Sequence, residues 1–279
     1  MDILARNWIN TDDSTSSNDT ISLFTWNTLA DKLAEEFTTI TDPSILAWEN
    51  RKELSLNIIK QHNYDIICLQ EVDHYDDWFK PNLNKLGYDS VFQPKYNDIN
   101  DGICIFWKSN KFKLVDDIAL RYIKSSQVAL FVILSFVSNE SQKLCVGTTH
   151  LKAKPEFKDT RIEQGKVFMN TLDHITNVHH CPIIFGGDMN DEPDSSVINI
   201  FKSKYKSIYN NDNCKWTTWK KRQYVVKRCI DYIFYDEYSI KPVSFLEIPK
   251  DEQCPNMLPA SYHSSDHMSI ACRFKILNK

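Results

Sequence analysis

Apolar residues in this chain gather in short runs, with amphipathic or polar stretches between them. Ile21–Trp26, Asp65–Gln70, Gly102–Trp107, Val128–Phe136, Lys143–Thr149, Pro182–Gly187, Ile230–Tyr235 and Met268–Phe274 each have the length and composition of a strand. Asp42-Pro43 reads as an N-cap followed by proline at the first helical position, opening a helix that runs to about Gln61. Asp159 or Thr160 opens a second helix, on which Phe168, Leu172 and Ile175 recur at helical spacing. A third, shorter helix follows Pro193. Many strands with helices between only some of them predict an α/β domain of two packed sheets flanked by helices. This domain covers residues 21–279, behind a flexible lead-in at 1–20 that is rich in Ser, Thr, Asn and Asp.

Composition narrows the class. The 279 residues are 42% hydrophobic and 25% charged, as in a soluble globular chain, and no apolar run is long enough to cross a bilayer. Eight cysteines occur without a CxxC or CxxH cluster, which argues against structural zinc. Cys68, Cys104, Cys145 and Cys272 fall inside apolar runs and read as buried thiols. With no signal-peptide core near the N-terminus, the expectation is a reducing compartment, the cytoplasm ahead of the mitochondrion, and a monomer. A net charge of −4 lacks the basic excess of a protein that grips long nucleic acid, and favours a small phosphorylated substrate.

The chemistry-bearing residues cluster where the strand-like runs end. Asn27 closes the first and offers either a neutral oxygen ligand or an amide donor to phosphate, although taken alone a turn asparagine is the more ordinary reading there. Glu71, after Leu69-Gln70, is a hard oxygen ligand of the kind magnesium takes. His150 ends Thr149-His150 and can donate to a phosphoryl oxygen or leaving group, with Lys152 and Lys154 beside it as phosphate-binding cations. In Gly186-Gly187-Asp188-Met189-Asn190, glycines allow close backbone approach, and Asp188 and Asn190 at a spacing of two share one side of an extended segment. One of the two can orient water while the other donates to the transition state. Asp231, in Ile230-Asp231-Tyr232, is placed to fix the tautomer of His267, in Ser265-Asp266-His267.

This ordered set resembles that of the endonuclease/exonuclease/phosphatase superfamily over Ile21 to Phe274. Gln70-Glu71-Val72-Asp73-His74-Tyr75, Gln93-Pro94-Lys95, Thr149-His150-Leu151-Lys152-Ala153 and Thr217-Thr218-Trp219-Lys220 are similar to its deadenylase-related branch. The resemblance implies a four-layer α/β sandwich and a Mg²⁺-dependent phosphatase that removes the 2′-phosphate of NADP(H), with poly(A) shortening by a 3′–5′ exoribonuclease as the rival activity. It implies that Glu71 anchors Mg²⁺ with Asn27 close by, and that Asp188 activates water. Asn190, His150 and His267 would stabilise the phosphoryl group, Asp266 would support the metal or the histidine, and Lys95, Lys152 and Lys154 would form a positive wall. Two features set this chain apart from that branch: Lys154 stands where arginine is usual, and the loop from Lys95 to Asp101 is short. Asp101 is also expected to orient His150, and Trp216 and Trp219 either stack on a base or pack in the core.

Overall fold

The computed structural model describes residues 3–11, 20–37, 42–97 and 99–277. Its strands, in chain order, are β1 Trp8–Asn10, β2 Ile21–Asn27, β3 Ile66–Val72, β4 Tyr88–Pro94, β5 Gly102–Lys108, β6 Phe112–Arg121, β7 Val128–Phe136 and β8 Asn139–His150. They continue with β9 Ile183–Asp188, β10 Lys206–Ser207, β11 Thr218–Lys221, β12 Val225–Arg228, β13 Asp231–Tyr235, β14 Ile240–Leu246 and β15 Ile270–Ile276. One sheet has the order β1-β14-β15-β2-β3-β5-β4 and the other β10-β13-β9-β8-β7-β6, with β11 and β12 forming a separate hairpin. The two mixed sheets face each other across a core that includes Leu23, Ile105, Val132, Val146 and Ile233. Helices cover their outer faces, so the expected α/β sandwich of packed, helix-flanked sheets is what the chain forms.

Each sheet contains one parallel pair, β2 with β3 and β8 with β9. Parallel neighbours need a crossover, and a helix supplies each: Trp48–Lys60 between β2 and β3, Lys158–His179 between β8 and β9. The first buries Leu54, Ile58 and Ile59 against Phe24, Ile67 and Leu69. The second buries Phe168, Leu172 and Ile175 against the other sheet. Strands made parallel in this way end together, and their carboxyl ends carry Asn27, Glu71, His150 and Asp188.

Several local expectations need correction. The helix read as continuous from Asp42 to Gln61 is two helices, Pro43–Leu46 and Trp48–Lys60. Asp42 does cap the first, accepting from the Ser44 amide, but Ala47 takes an extended ψ of 128° and breaks the axis. The lead-in at 1–20 is not wholly a flexible segment. Trp8–Asn10 pairs with β14, and Arg6 donates to Ser269 and to the Glu247 carbonyl, because a tryptophan and an arginine here have tertiary partners. Residues 12–19 of that segment lie outside the described residues. Seven strands were not legible as apolar runs. The physical reason is plain in β6, a sheet edge whose residues are mostly exposed, and in β14, which carries Pro242 at a register shift. All eight cysteines are free, buried thiols.

Gly187 is the tightest point between the two catalytic strands. A Cβ built there would lie 2.1 Å from the Thr149 carbonyl oxygen on β8. Gly187→Ala must therefore push β8 and β9 apart. It is expected to cost about 3 kcal/mol or more, seen as a fall of several degrees in thermal midpoint, together with loss of activity.

Candidate active site

The carboxyl ends of the parallel pairs meet across the sandwich. Register places His150 opposite Asp188 and Asp188 opposite Asp231, so three functional side chains occupy one row of the second sheet. The first sheet contributes Asn27 and Glu71, and the segment leading into β15 contributes Asp266 and His267. Glu71 sits where the β3–β5 register slips, with φ of 55°. This bulge turns its carboxylate out of the strand's alternation and toward His150.

Asp188 is the hub. Its Oδ2 accepts from Asn27 Nδ2 at 3.1 Å and its Oδ1 from the Asn190 amide at 2.9 Å. The imidazole nitrogens of His150 and His267 stand 3.6 and 3.7 Å from Oδ2. Burial, followed by the charge of Asp231, pushes the Asp188 carboxyl up to about 7. Asn190 is held differently from expectation. The strand ends at Asp188, and Asn190 has φ of 52°, so its reach comes from a left-handed turn rather than from strand alternation. Its side-chain amide donates to the Leu151 carbonyl at 3.0 Å, leaving one amide hydrogen to offer.

His267 Nδ1 bonds Asp231 Oδ2 at 2.9 Å, and Asp231 also accepts from the Thr217 hydroxyl, as the tautomer-fixing role requires. Burial alone would lower the His267 value, but Asp231, Asp188 and Asp266 together raise it to about 9. Its carbonyl accepts from Trp26 Nε1 and is 2.7 Å from His263 Nε2, and its amide donates to Ser265 Oγ, so backbone and ring are both fixed. His150 behaves oppositely. Burial first, then Lys95, holds it well below the usual histidine range, and its Nδ1 has no hydrogen-bond partner among the described residues.

Several expected roles are redrawn. Asp101 pairs with Lys95 and not with His150, because the two charges are buried together and each requires the other. Lys95 is therefore a neutralised cation, not an open part of a positive wall. Asp266 is bound by Lys220 and lies 3.6 Å from Arg222, which hold its carboxyl below the usual range against the effect of burial. Asp266 is thus not free to ligate, and of its two expected roles, support of the histidine is the one its charge beside His267 fits. Trp216 is core, meeting Trp219 edge-on beneath Lys227, so the stacking alternative has no open ring at 216. Lys152 is half-buried and Lys154 exposed, on a loop clamped by Arg161 through the Lys152 and Lys154 carbonyls. Arg161, Thr217, Lys220, Arg222 and His263 were not singled out from the sequence. Thr217 and Lys220 stand inside a quoted motif, which was the available signal.

Asp188, Asp231 and His267 place ligand atoms within 4.8 Å of one another, a buried acidic and imidazole cluster that fits a divalent cation nearby. Glu71 has the better-suited free oxygen. Its Oε2 accepts from the Ala30 amide, while Oε1 receives no hydrogen bond from the described residues and lies 3.9 Å from His150 Nδ1. A carboxylate oxygen left free in a partly open mouth suits a hard cation that keeps several waters.

Beside this centre is a cavity of about 600 Å³ whose wall includes Lys152, Arg121 and Lys124. No helix of the described residues is long and apolar enough to cross a membrane.

Comparison with known proteins agrees with the geometry. The sequence model of the Endonuclease/Exonuclease/phosphatase family matches residues 24–267. Nocturnin of Mus musculus is 34% identical over 94% of this chain and 67% of its own length, and nocturnin of Xenopus laevis is 34% identical over 91% and 72%. The solved catalytic domain of human nocturnin, with bound sulfate, superposes with a TM-score of 0.81 at 32% identity, covering 98% of this chain and 97% of that one. A probable CCR4-Not complex 3′-5′-exoribonuclease subunit of Vairimorpha ceranae is 28% identical over 83% of the chain and 59% of its own length. The chain belongs to the endonuclease/exonuclease/phosphatase family, a family of hydrolases, and within it is similar to the nocturnins.

Proposed function

We propose that this protein is a Mg²⁺-dependent phosphatase that hydrolyses the 2′-phosphate of NADP(H), giving NAD(H) and inorganic phosphate. Glu71, with Asn27 beside it, would hold the cation, which when bound neutralises charge on the phosphoryl oxygens. Asp188, buried and flanked by two imidazoles, accepts the proton of the attacking water. His267, kept charged by Asp231, donates to a phosphoryl oxygen, and Asn190 offers its remaining amide hydrogen to another. His150, held neutral by burial, contributes a ring N–H rather than a charge. The reading includes a monomer in the cytoplasm, which rests on the sequence alone.

One observation carries the choice of substrate. Lys95, Lys220 and Arg222 are already paired with Asp101 and Asp266, whereas Arg121, Lys124 and Lys152 line a cavity with no carboxylate among its described lining residues. A terminal phosphomonoester on a dinucleotide suits such a compact site, whereas poly(A) needs a track for successive nucleotides. Similarity to Ccr4-type exoribonucleases supports the alternative. Incubation with Mg²⁺ and either NADP⁺ or oligo(A) separates the two. Phosphate release from NADP⁺ with little shortening of oligo(A) is expected; the reverse pattern sinks the phosphatase reading.

Lys154 is expected to contribute one charge-assisted contact to the substrate. Lys154→Ala should lower kcat/KM about tenfold, equivalent to ~1.5 kcal/mol, and Lys154→Arg should preserve it. Steady-state phosphate release checks both variants.

A further inference from the structure

The cations of the cavity beside the centre have not yet been matched to a particular phosphate of the substrate. Arg121, the last residue of β6, holds its guanidinium carbon over the Tyr96 ring, 3.5 Å from its centroid. Tyr96 is itself fixed, its hydroxyl accepting from Gln93 Nε2 at 2.8 Å and its amide donating to the Ser126 carbonyl. Lys124 lines the same cavity from a left-handed conformation, with φ of 61°. Gln164 fastens that segment to the neighbouring loop, donating to Ser125 Oγ while accepting from the Lys152 amide. Arg121, Lys124 and Lys152 form no ion pair among the described residues, and no carboxylate of those residues lines the cavity. A group of like charges left without counterions around a concave, hydrogen-bonded wall is suited to an anion.

The cavity is also connected to the chemistry. Lys152 lies two residues beyond His150, about 7 Å of extended chain. The hydroxyl of Tyr122, next to Arg121, lies 3.0 Å from Thr149 Oγ1, beside the same histidine. Resting on the phosphatase reading above, we infer that Arg121, Lys124 and the Tyr96 platform form a distal subsite that binds the substrate's pyrophosphate. In a 2′-phosphorylated dinucleotide the pyrophosphate stands one ribose away from the scissile phosphate, on the scale of that spacing. About 600 Å³ lies within the range that accommodates the remaining nucleotide half. The subsite makes the enzyme select dinucleotides over mononucleotides bearing the same 2′-phosphate.

The test compares NADP⁺ with adenosine 2′-monophosphate on the wild type and on the double variant Arg121→Ala, Lys124→Gln. Wild type should favour NADP⁺ at least tenfold in kcat/KM. The double variant should lose ten- to a hundredfold on NADP⁺, chiefly through KM, and be unchanged on the mononucleotide. An equal fall on both substrates, or no fall on NADP⁺, overturns the subsite. Should the wild type release phosphate from neither substrate, the phosphatase reading fails separately. The subsite is then judged by calorimetric titration with ADP-ribose in the absence of divalent metal. Binding that weakens at least tenfold in the double variant upholds it; no binding to wild type, or equal affinity, overturns it.

Discussion

Asp188→Ala is expected to lower kcat by roughly 10³- to 10⁴-fold with little change in KM, the range for loss of a positioned general base together with the groups it orients. The carboxylate accepts from the Asn27 side chain and the Asn190 backbone amide and stands between His150 and His267, so its removal leaves three side chains and one amide without their common partner. His267→Ala should be comparably damaging, and the double variant much less than multiplicatively worse, because both act in one step. Near-normal kcat in either single variant would remove that residue from the mechanism. The pH profile follows from the same cluster. Asp188 acts as a base only when ionised, so kcat/KM should fall as pH drops through about 7. His267 donates as a cation, so it should fall again as pH rises through about 9. Both limbs belong to the coupled cluster rather than to a single residue. Asp231→Asn should pull the alkaline limb downward, since the carboxylate that keeps His267 charged is then gone.

Glu71→Gln should cost roughly three orders of magnitude in turnover, the several kcal/mol of charge stabilisation that a bound cation supplies. Glutamine keeps the side chain's size and can still accept from the Ala30 amide, so circular dichroism and thermal midpoint should stay near wild type. Excess EDTA should abolish wild-type activity and added Mg²⁺ restore it. Full activity in chelator would exclude a cation from the reaction.

The catalytic residues were legible because each ends or follows an apolar strand, and strand ends bring distant parts of a sandwich together. Asp188 and Asp231 illustrate this: they are 43 positions apart, each next to a buried strand, and register sets them opposite one another. Pairing partners were less legible. Lys220 reaches Asp266 from the β11–β12 hairpin across 46 positions, and nothing local to either residue announces the contact. Lys95 illustrates the same limit, since a lysine in a motif carries no sign that a nearby aspartate has already neutralised it. Exposed edge strands such as β6 lack the apolar run that reveals a buried strand, and so Arg121 was passed over with it.

Gln70, next to Glu71 in β3, donates to Thr25 in its own sheet and to Thr148 in the other, both at 3.0 Å. The active site is divided along the same seam, with Asn27, Glu71 and His267 on one side and His150, Asp188 and Asp231 on the other. An apolar interface tolerates small sideways slippage, whereas a directional bond to a hydroxyl does not. Gln70 therefore sets the alignment tolerance of the catalytic halves, and a misplacement of about 1 Å there can cost 10²-fold in rate. Turnover, more than melting temperature, is the sensitive gauge of how well these two layers are aligned.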